Sequence, residues 1–298
     1  WGCVKGGMGE LSNSLAKACE DFDVDIFTGE KVRSIDVAGR RITEVVTNRK
    51  TYSTDVVASS LDPHVTFKYL VGYGDLPDEF IHNLENINYD SATAKLNLAL
   101  DKLPEFKCGK NVARDFSVLT GTIHIPSSLR GIEKAFDQAK YGEPSKDPIL
   151  EITIPTTIDN TLAPEGKHIM SVLVQYAPFK LNNKLPHNGG WNGRLREDFT
   201  RNCINKIEEY APGFKNSILH SQFLSPWDLE RTYGITGGNI FHGSMILSQM
   251  GVFRPVAGWS DYRTPIKGLY ICGSASHPGG GVTGIPGRNA AQEILKDI

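Results

Sequence analysis

The 298 residues are 40% apolar and 22% charged, with a formal net charge of −2, the make-up of a globular chain with room for one large or two medium domains. The near-neutral charge and the lack of a long basic run argue against a nucleic-acid partner, and no apolar run reaches the length of a transmembrane segment. The five cysteines (3, 19, 108, 203 and 272) form no C-x-x-C pair, so their spacing indicates neither a metal site nor a dithiol centre and fits free thiols in a reducing compartment.

In chain order, Lys5 to Gly9 leads into a helix whose apolar stripe is Leu11, Leu15, Ala18/Cys19 and Phe22, the spacing of one helix face. Asp25–Thr28 and Lys31–Val37 read as strands. Val45, Val46, Val56 and Val57 continue a β-meander across turns at Gly39-Arg40-Arg41 and Asn48-Arg49-Lys50. Asp62-Pro63 breaks the pattern and marks the expected crossing into a second domain. A helix follows near Leu76–Ile87. AKLNLAL (Ala94 to Leu100) alternates strictly, as a half-buried antiparallel strand does. Ser117–Ile125 is read as a strand and Ile132–Ala139 as a helix ending by Gly142. ILEITI (149–154) and HIMSVLVQY (168–176) are alternating strands. Pro178–Gly193 is a polar loop, and 194–211 is a helix patterned by Phe199, Cys203, Ile207 and Tyr210 and ended by Pro212-Gly213. Strands and isolated helices in this order point to an α+β domain over 62–236.

The stretch Gly268 to Leu295 reads GLYICGSASHPGGGVTGIPGRNAAQEIL. Leu269–Cys272 forms a short apolar strand ended by Gly273. A loop with glycines at 279, 280, 281, 284 and 287 follows, then a helix from Asn289 to Leu295. Six glycines in fifteen residues exceed what a turn requires. A strand, a Gly-rich loop and a helix start together suit an anion, because glycines let backbone approach a ligand and the helix start presents free N–H groups. No Lys-Ser/Thr follows the glycines, so this is not a Walker loop, and no G-x-G-x-x-G strand–turn–helix is read in the chain; Gly6-Gly7-Met8-Gly9 has the wrong spacing.

GLYICGSASHPGGGVTGIPGRNAA resembles the C-terminal FAD motif of the phytoene-desaturase-like flavoproteins, the carotenoid and retinoid oxidoreductase family, with HPGGG as its most specific part. The likeness extends to KGGMG, ITIPTTIDNTLAPEGKH, EEYAPGFKNSIL and DLERTYGITGGNIFHG. It implies the C-terminal part of a two-domain FAD/NAD(P)-binding, Rossmann-like flavoprotein, α/β plus α+β, whose N-terminal Rossmann segment lies outside these residues. It divides the chain into an FAD-domain part (1–61), an antiparallel-sheet substrate domain (62–236) and a return to the FAD domain (237–298). It implies FAD as cofactor, held by Gly273, His277, Pro278, Gly279, Gly280, Gly281, Val282, Thr283, Gly284 and Gly287. It places Gly7 at the flavin side of the first helix and the backbone of Val32 at the adenine. For Gly7 a plain N-terminal turn stands equally, and for Val32 a plain core strand residue. The same likeness suggests an apolar small-molecule substrate, a mitochondrial location and a mitochondrial protein partner.

Gly237-Gly238 followed by His242 is the other pointed feature. A histidine beside a flavin can give or take a proton while hydride moves; the alternative is a satisfied structural histidine. Glu230-Arg231 reads as an exposed ion pair. No Ser-His-Asp order, H-E-x-x-H or carboxylate cluster is present, so hydrolase and metalloenzyme readings have no motif. Two functions stand. One is an FAD-dependent oxidoreductase moving hydride between flavin and an apolar carbon, in which the cofactor carries the chemistry. The other is a non-catalytic interaction or regulatory protein that keeps an incomplete flavoprotein fold.

Overall fold

The computed structural model describes residues 2–109, 119–125, 128–182 and 190–298. Ser117 and Val118 of the expected strand, and residues 183–189 of the polar loop, lie outside them. The chain forms two compact units, one of residues 1–26 with 92–227, the other of residues 27–91 with 228–298.

In the second of these, β1 (Val32–Ala38), β2 (Arg41–Thr47) and β3 (Thr51–Ser53) form an antiparallel meander. The sequence reading continued the meander through Val56 and Val57. Instead, β4 (Val57–Ser59) leaves it and pairs in parallel with β10 (Leu269–Ile271), Val57 opposite Leu269 and Ser59 opposite Ile271. No strand forms over 25–28. Asp23 and Gly29 both take left-handed backbone on either side, and Phe27 lies on the Tyr52 ring at 5.9 Å. After Pro63 comes a π-helical turn, His64–Val71, then α2 (Asp78–Glu85). Phe67, Leu76, Phe80 and Leu84 are buried in one core with Ile35, Ile42, Ile266, Leu269 and Ile271. That shared core is why the chain changes unit at 91/92 and not at Asp62-Pro63. The second crossing falls at 227/228, within α5 (Pro226–Tyr233) and ahead of the expected 236.

The other unit is built on a five-stranded antiparallel sheet in the order β6-β7-β8-β5-β9. Its strands are β5 (Thr93–Leu100), β6 (Ile123–Ile125), β7 (Ile149–Thr153), β8 (His168–Gln175) and β9 (Ile218–Leu224). The expected alternation holds: Ala94, Leu96, Leu98 and Leu100 are buried, and the residues between them are half-buried. α4 (Gly193–Tyr210), capped by the Asn192 side chain, lays Phe199, Cys203 and Ile207 in the same core as those residues. Full burial of each such large side chain stabilises by about 1.5–3 kcal/mol. α3 (Leu129–Lys140) buries Ala135 and Ala139. α1 (Gly9–Glu20) joins this unit and not the FAD-domain part assigned to residues 1–61. The Gly6 N–H bonds the Asp159 carboxylate at 2.5 Å, and a Cβ on Gly7 would stand 3.3 Å from Leu162. Its expected stripe is uncovered: no α1 residue is buried, and Leu15 and Phe22 are exposed.

Candidate functional site: the loop after β10

All three residues of β10 are buried. The strand fits beside β4 because Gly268 and Gly273 bracket it. A Cβ on Gly268 would fall 2.0 Å from the Asp55 carbonyl oxygen, and one on Gly273 would fall 2.2 Å from that of Ser60. Both distances are impossible for any larger residue without moving backbone. Gly273 therefore serves strand packing.

The later glycines divide by what they face. A Cβ on Gly279 would meet Met245 at 3.3 Å and Arg254 at 3.5 Å, and one on Gly280 would meet the Phe241 ring at 2.6 Å. These two admit neighbouring side chains. A Cβ on Gly284 would meet nothing, and those on Gly281 and Gly287 would meet their nearest atoms only at 4.0 and 3.9 Å. Backbone there is open to a ligand. Thr283 is exposed and Val282 is 81% exposed. α6 (Ile285–Asp297) starts four residues before the expected Asn289, because Pro286 suits the first helical turn. Gly284 precedes it with φ +69°, and the Thr283 hydroxyl accepts the Ile285 N–H at 3.2 Å. Gly279, Gly281 and Gly284 also have the spacing G-x-G-x-x-G ahead of a helix. The strand ends at Ile271, well before Gly279, so this is not the tight strand-to-helix turn of a dinucleotide fingerprint.

His277 and Pro278 shape the entry to the loop through a cis peptide. The Tyr262 hydroxyl donates to the His277 carbonyl at 2.9 Å, and Asn289 of α6 donates to the same hydroxyl at 2.8 Å. Arg254 lies beneath the loop, 2% exposed. Its guanidinium donates to the carbonyls of Phe241 (2.6 Å) and Gln249 (3.0 Å), with longer bonds to that of Gly243.

His242 has φ +57°, uncommon for a residue with a Cβ. Burial pushes its imidazole below the ordinary range; the Asp62 carboxylate opposes this and Arg254 adds to it. It lines a cavity of about 10 Å³ with Pro63, Gln249 and Arg254, too small to admit a substrate. Asp62, 2% exposed, accepts from the N–H groups of Val65 and Thr236 and from the Thr236 hydroxyl at 3.0–3.1 Å. Glu230 is not merely half of an exposed pair, since its carboxylate accepts the Gly237 N–H at 3.0 Å. The buried atoms left without a partner among the described residues are His242 Nδ1, Arg254 Nε and His277 Nδ1.

Val32 opens β1, half-buried against the core of that unit. Gly7 belongs to the other unit, with the loop contacts given above. The sequence reading passed over Arg254. It also passed over Lys95, half-buried on the face of β5 that carries Thr93 and Asn97. Burial lowers the pKa of Lys95, and Glu151 opposes that. A lone cation inside the alternating AKLNLAL was the available signal. Among the described residues no cluster of His, Cys, Asp and Glu could hold a metal ion, and no helix is long and apolar enough to cross a membrane.

Residues 1–295 match the family model described as flavin containing amine oxidoreductase. The chain is 39% identical to pyridine nucleotide-disulfide oxidoreductase domain-containing protein 2 of Rattus norvegicus, over all of this chain and 52% of the rat protein. It is 24% identical to 4,4'-diapophytoene desaturase of Staphylococcus aureus, over 99% of this chain and 56% of that enzyme. The chain thus spans about half the length of the curated relatives it matches. A crystal structure of an oxidoreductase from Methanosarcina mazei superposes with a TM-score of 0.62 at 18% identity, over 99% of this chain and 55% of that one. That likeness shows the fold, the mixed α/β fold of FAD-dependent flavoproteins.

Proposed function

Because the chain belongs to the flavin containing amine oxidoreductase family, whose cofactor is FAD, we propose that it supplies the Gly-rich cofactor loop and the antiparallel-sheet substrate unit of an oxidoreductase acting on an apolar carbon chain. The observation that carries the reading is the division of the glycines. Gly279 and Gly280 are filled from below by Arg254 and Phe241, while Gly281, Gly284 and Gly287 leave open backbone at the start of α6. Such a surface fits the polar chain and phosphates of a dinucleotide. Partnerless buried nitrogens on His242, Arg254 and His277 next to it fit the same group. Residues 281–284 and Gly287 would hold it by backbone, with Val282 and Thr283 presented beside them. Gly273, His277, Pro278, Gly279 and Gly280 would set the loop's shape.

When bound, FAD supplies the hydride acceptor or donor; the chain's own residues bind, orient and exclude water. His242, kept neutral by burial, would keep one ring nitrogen ready to hold a proton. Lys95 would present an ammonium, or at higher pH an amine, from the sheet face. A desaturation-type reaction is supported by the name of the Staphylococcus aureus relative. The N-terminal dinucleotide segment expected from the sequence would come from outside residues 1–298. A mitochondrial location belongs to the same proposal and is checked by fractionation.

The test is anaerobic. The FAD-loaded protein is mixed separately with an isoprenoid hydrocarbon and with a primary alkylamine, and flavin absorbance is followed. Bleaching by the hydrocarbon is the expected result. Bleaching by the amine alone would refute the apolar-carbon reading, and loading with no flavin would refute the oxidoreductase reading itself.

An interaction protein is the second reading. It is favoured by α1, whose apolar stripe is exposed at Leu11, Leu15 and Phe22. Flavin loading decides between the two.

A further inference from the structure

Arg254 carries a permanent charge into the interior of the 27–91/228–298 unit, at 2% exposure. Its Nη atoms donate to three backbone carbonyls, at Phe241, Gly243 and Gln249, and to the Met245 sulfur at 3.2 Å. Its Nε has no partner. Among the described residues no ion pair involves Arg254. Carbonyl oxygens satisfy a guanidinium's hydrogens but leave its charge uncompensated, and buried charges are ordinarily paired. Asp62, the buried carboxylate that with Arg254 acts on His242, is occupied by Val65 and Thr236.

The place of the charge is specific. The Arg254 Cδ lies 3.5 Å from where a Cβ of Gly279 would stand, and Phe241, whose carbonyl Arg254 holds, fills the space beside Gly280. The cation therefore sits directly under the first glycines of a loop whose other side is open at Gly281, Gly284 and Gly287 and runs into the N-terminus of α6. Both the loop and the helix end favour negative charge.

We propose that Arg254 is the counter-charge for an anion of the pyrophosphate class seated on the Gly279–Gly287 loop. It acts as a positioning residue, by holding Phe241 and Gly243 under the glycines and through its field. The inference rests on the reading of this loop as a cofactor cradle.

The experiment compares the wild-type chain, Arg254→Lys and Arg254→Gln. FAD affinity is titrated by flavin fluorescence at low and high salt, and melting is followed with inorganic pyrophosphate against sodium chloride of equal ionic strength. The wild type should bind both probes, more weakly as salt rises. Arg254→Gln should bind both about tenfold more weakly and lose most of the salt dependence. Arg254→Lys keeps the charge without the planar fork, so it should keep the salt dependence with a smaller loss of affinity. Equal affinities in all three proteins would overturn the proposal. So would weaker binding by Arg254→Gln with wild-type salt dependence, since the arginine would then only shape the loop. If Arg254→Gln does not fold, the lysine variant decides, and loss of its salt dependence overturns the counter-charge. Pyrophosphate binding that depends on Arg254, without FAD binding, would uphold this inference and sink the flavin reading. FAD binding indifferent to residue 254 would do the reverse.

Discussion

Phe241 occupies the space that a side chain at position 280 would need: a Cβ built on Gly280 falls 2.6 Å from the ring's Cδ1. Gly280 is thus required by packing, although it sits in the middle of a loop that reads as a ligand cradle. Gly280→Ala should push Phe241 aside and destabilise the protein by about 1–3 kcal/mol, the usual range for overpacking. Urea unfolding measures this. Adding Phe241→Ala should recover part of the loss, since contacting residues couple. Strictly additive losses would show that the two do not compete for that space.

The C-terminal helix is held to the strand side by one arginine. Arg263 donates to both Asp297 oxygens at 2.8 and 2.9 Å and to Glu293 at 2.9 Å, while the Tyr270 hydroxyl donates to Asp297 at 2.8 Å. The Arg263 bond holds the Asp297 carboxyl below its ordinary range, and bonds from Lys296 and Arg263 do so for Glu293. For lowered carboxylates the sign is fixed. The stabilisation is complete above the unfolded-state pKa values and is lost as pH falls through the folded ones. Arg263→Ala should flatten that acid-side loss, with the larger difference from wild type near neutral pH. An unchanged stability–pH slope in unfolding titrations would contradict it.

His242 gives the same sign in a higher pH window. Its folded-state pKa is lowered, chiefly by burial, so the unfolded chain takes up the proton first as pH falls. Stability should decline once pH drops below about 6.5, the ordinary histidine value. Burial lowers His64 and His168 as well. His242→Asn, which tolerates the left-handed backbone at φ +57°, should remove one share of the decline and leave the rest. A slope identical to wild type would mean that His242 titrates normally.

Asp62 offers a polar test. Its carboxylate accepts three bonds, from the Val65 N–H and from the N–H and hydroxyl of Thr236. Asp62→Asn turns one oxygen into a donor facing donors, at a cost of about 1–3 kcal/mol. A thermal melt or urea curve within 0.5 kcal/mol of wild type, about the scatter of neutral surface changes, would refute it.

Much of the antiparallel unit was legible in its sequence because its strands are covered on one face. Ala94, Leu96, Leu98 and Leu100 carry the period of two that burial imposes. β9 was not legible, because Leu219, His220, Ser221 and Gln222 are all exposed and no face selects apolar residues. The change of unit at 91/92 was hidden as well. Phe67, Phe80 and Leu84 find core partners at 35, 42 and 266–271, distances along the chain that local pattern does not encode. The Gly-rich loop announced itself by composition. Its division of labour did not, since Phe241 and Arg254 arrive from another part of the chain.

The most direct test of the account is flavin retention by the purified protein, in the longest form that can be made, after FAD is added and the excess removed. Wild type is compared with Gly281→Val and Gly280→Ala. Flavin absorbance is expected in the wild type, with its loss in Gly281→Val, whose side chain would stand on the open ligand side. Gly280→Ala, which displaces Phe241 from beneath the loop, should bind flavin more weakly than wild type without losing it. Flavin kept undiminished by Gly281→Val, or absent from every form, would contradict the claim that this loop holds the cofactor.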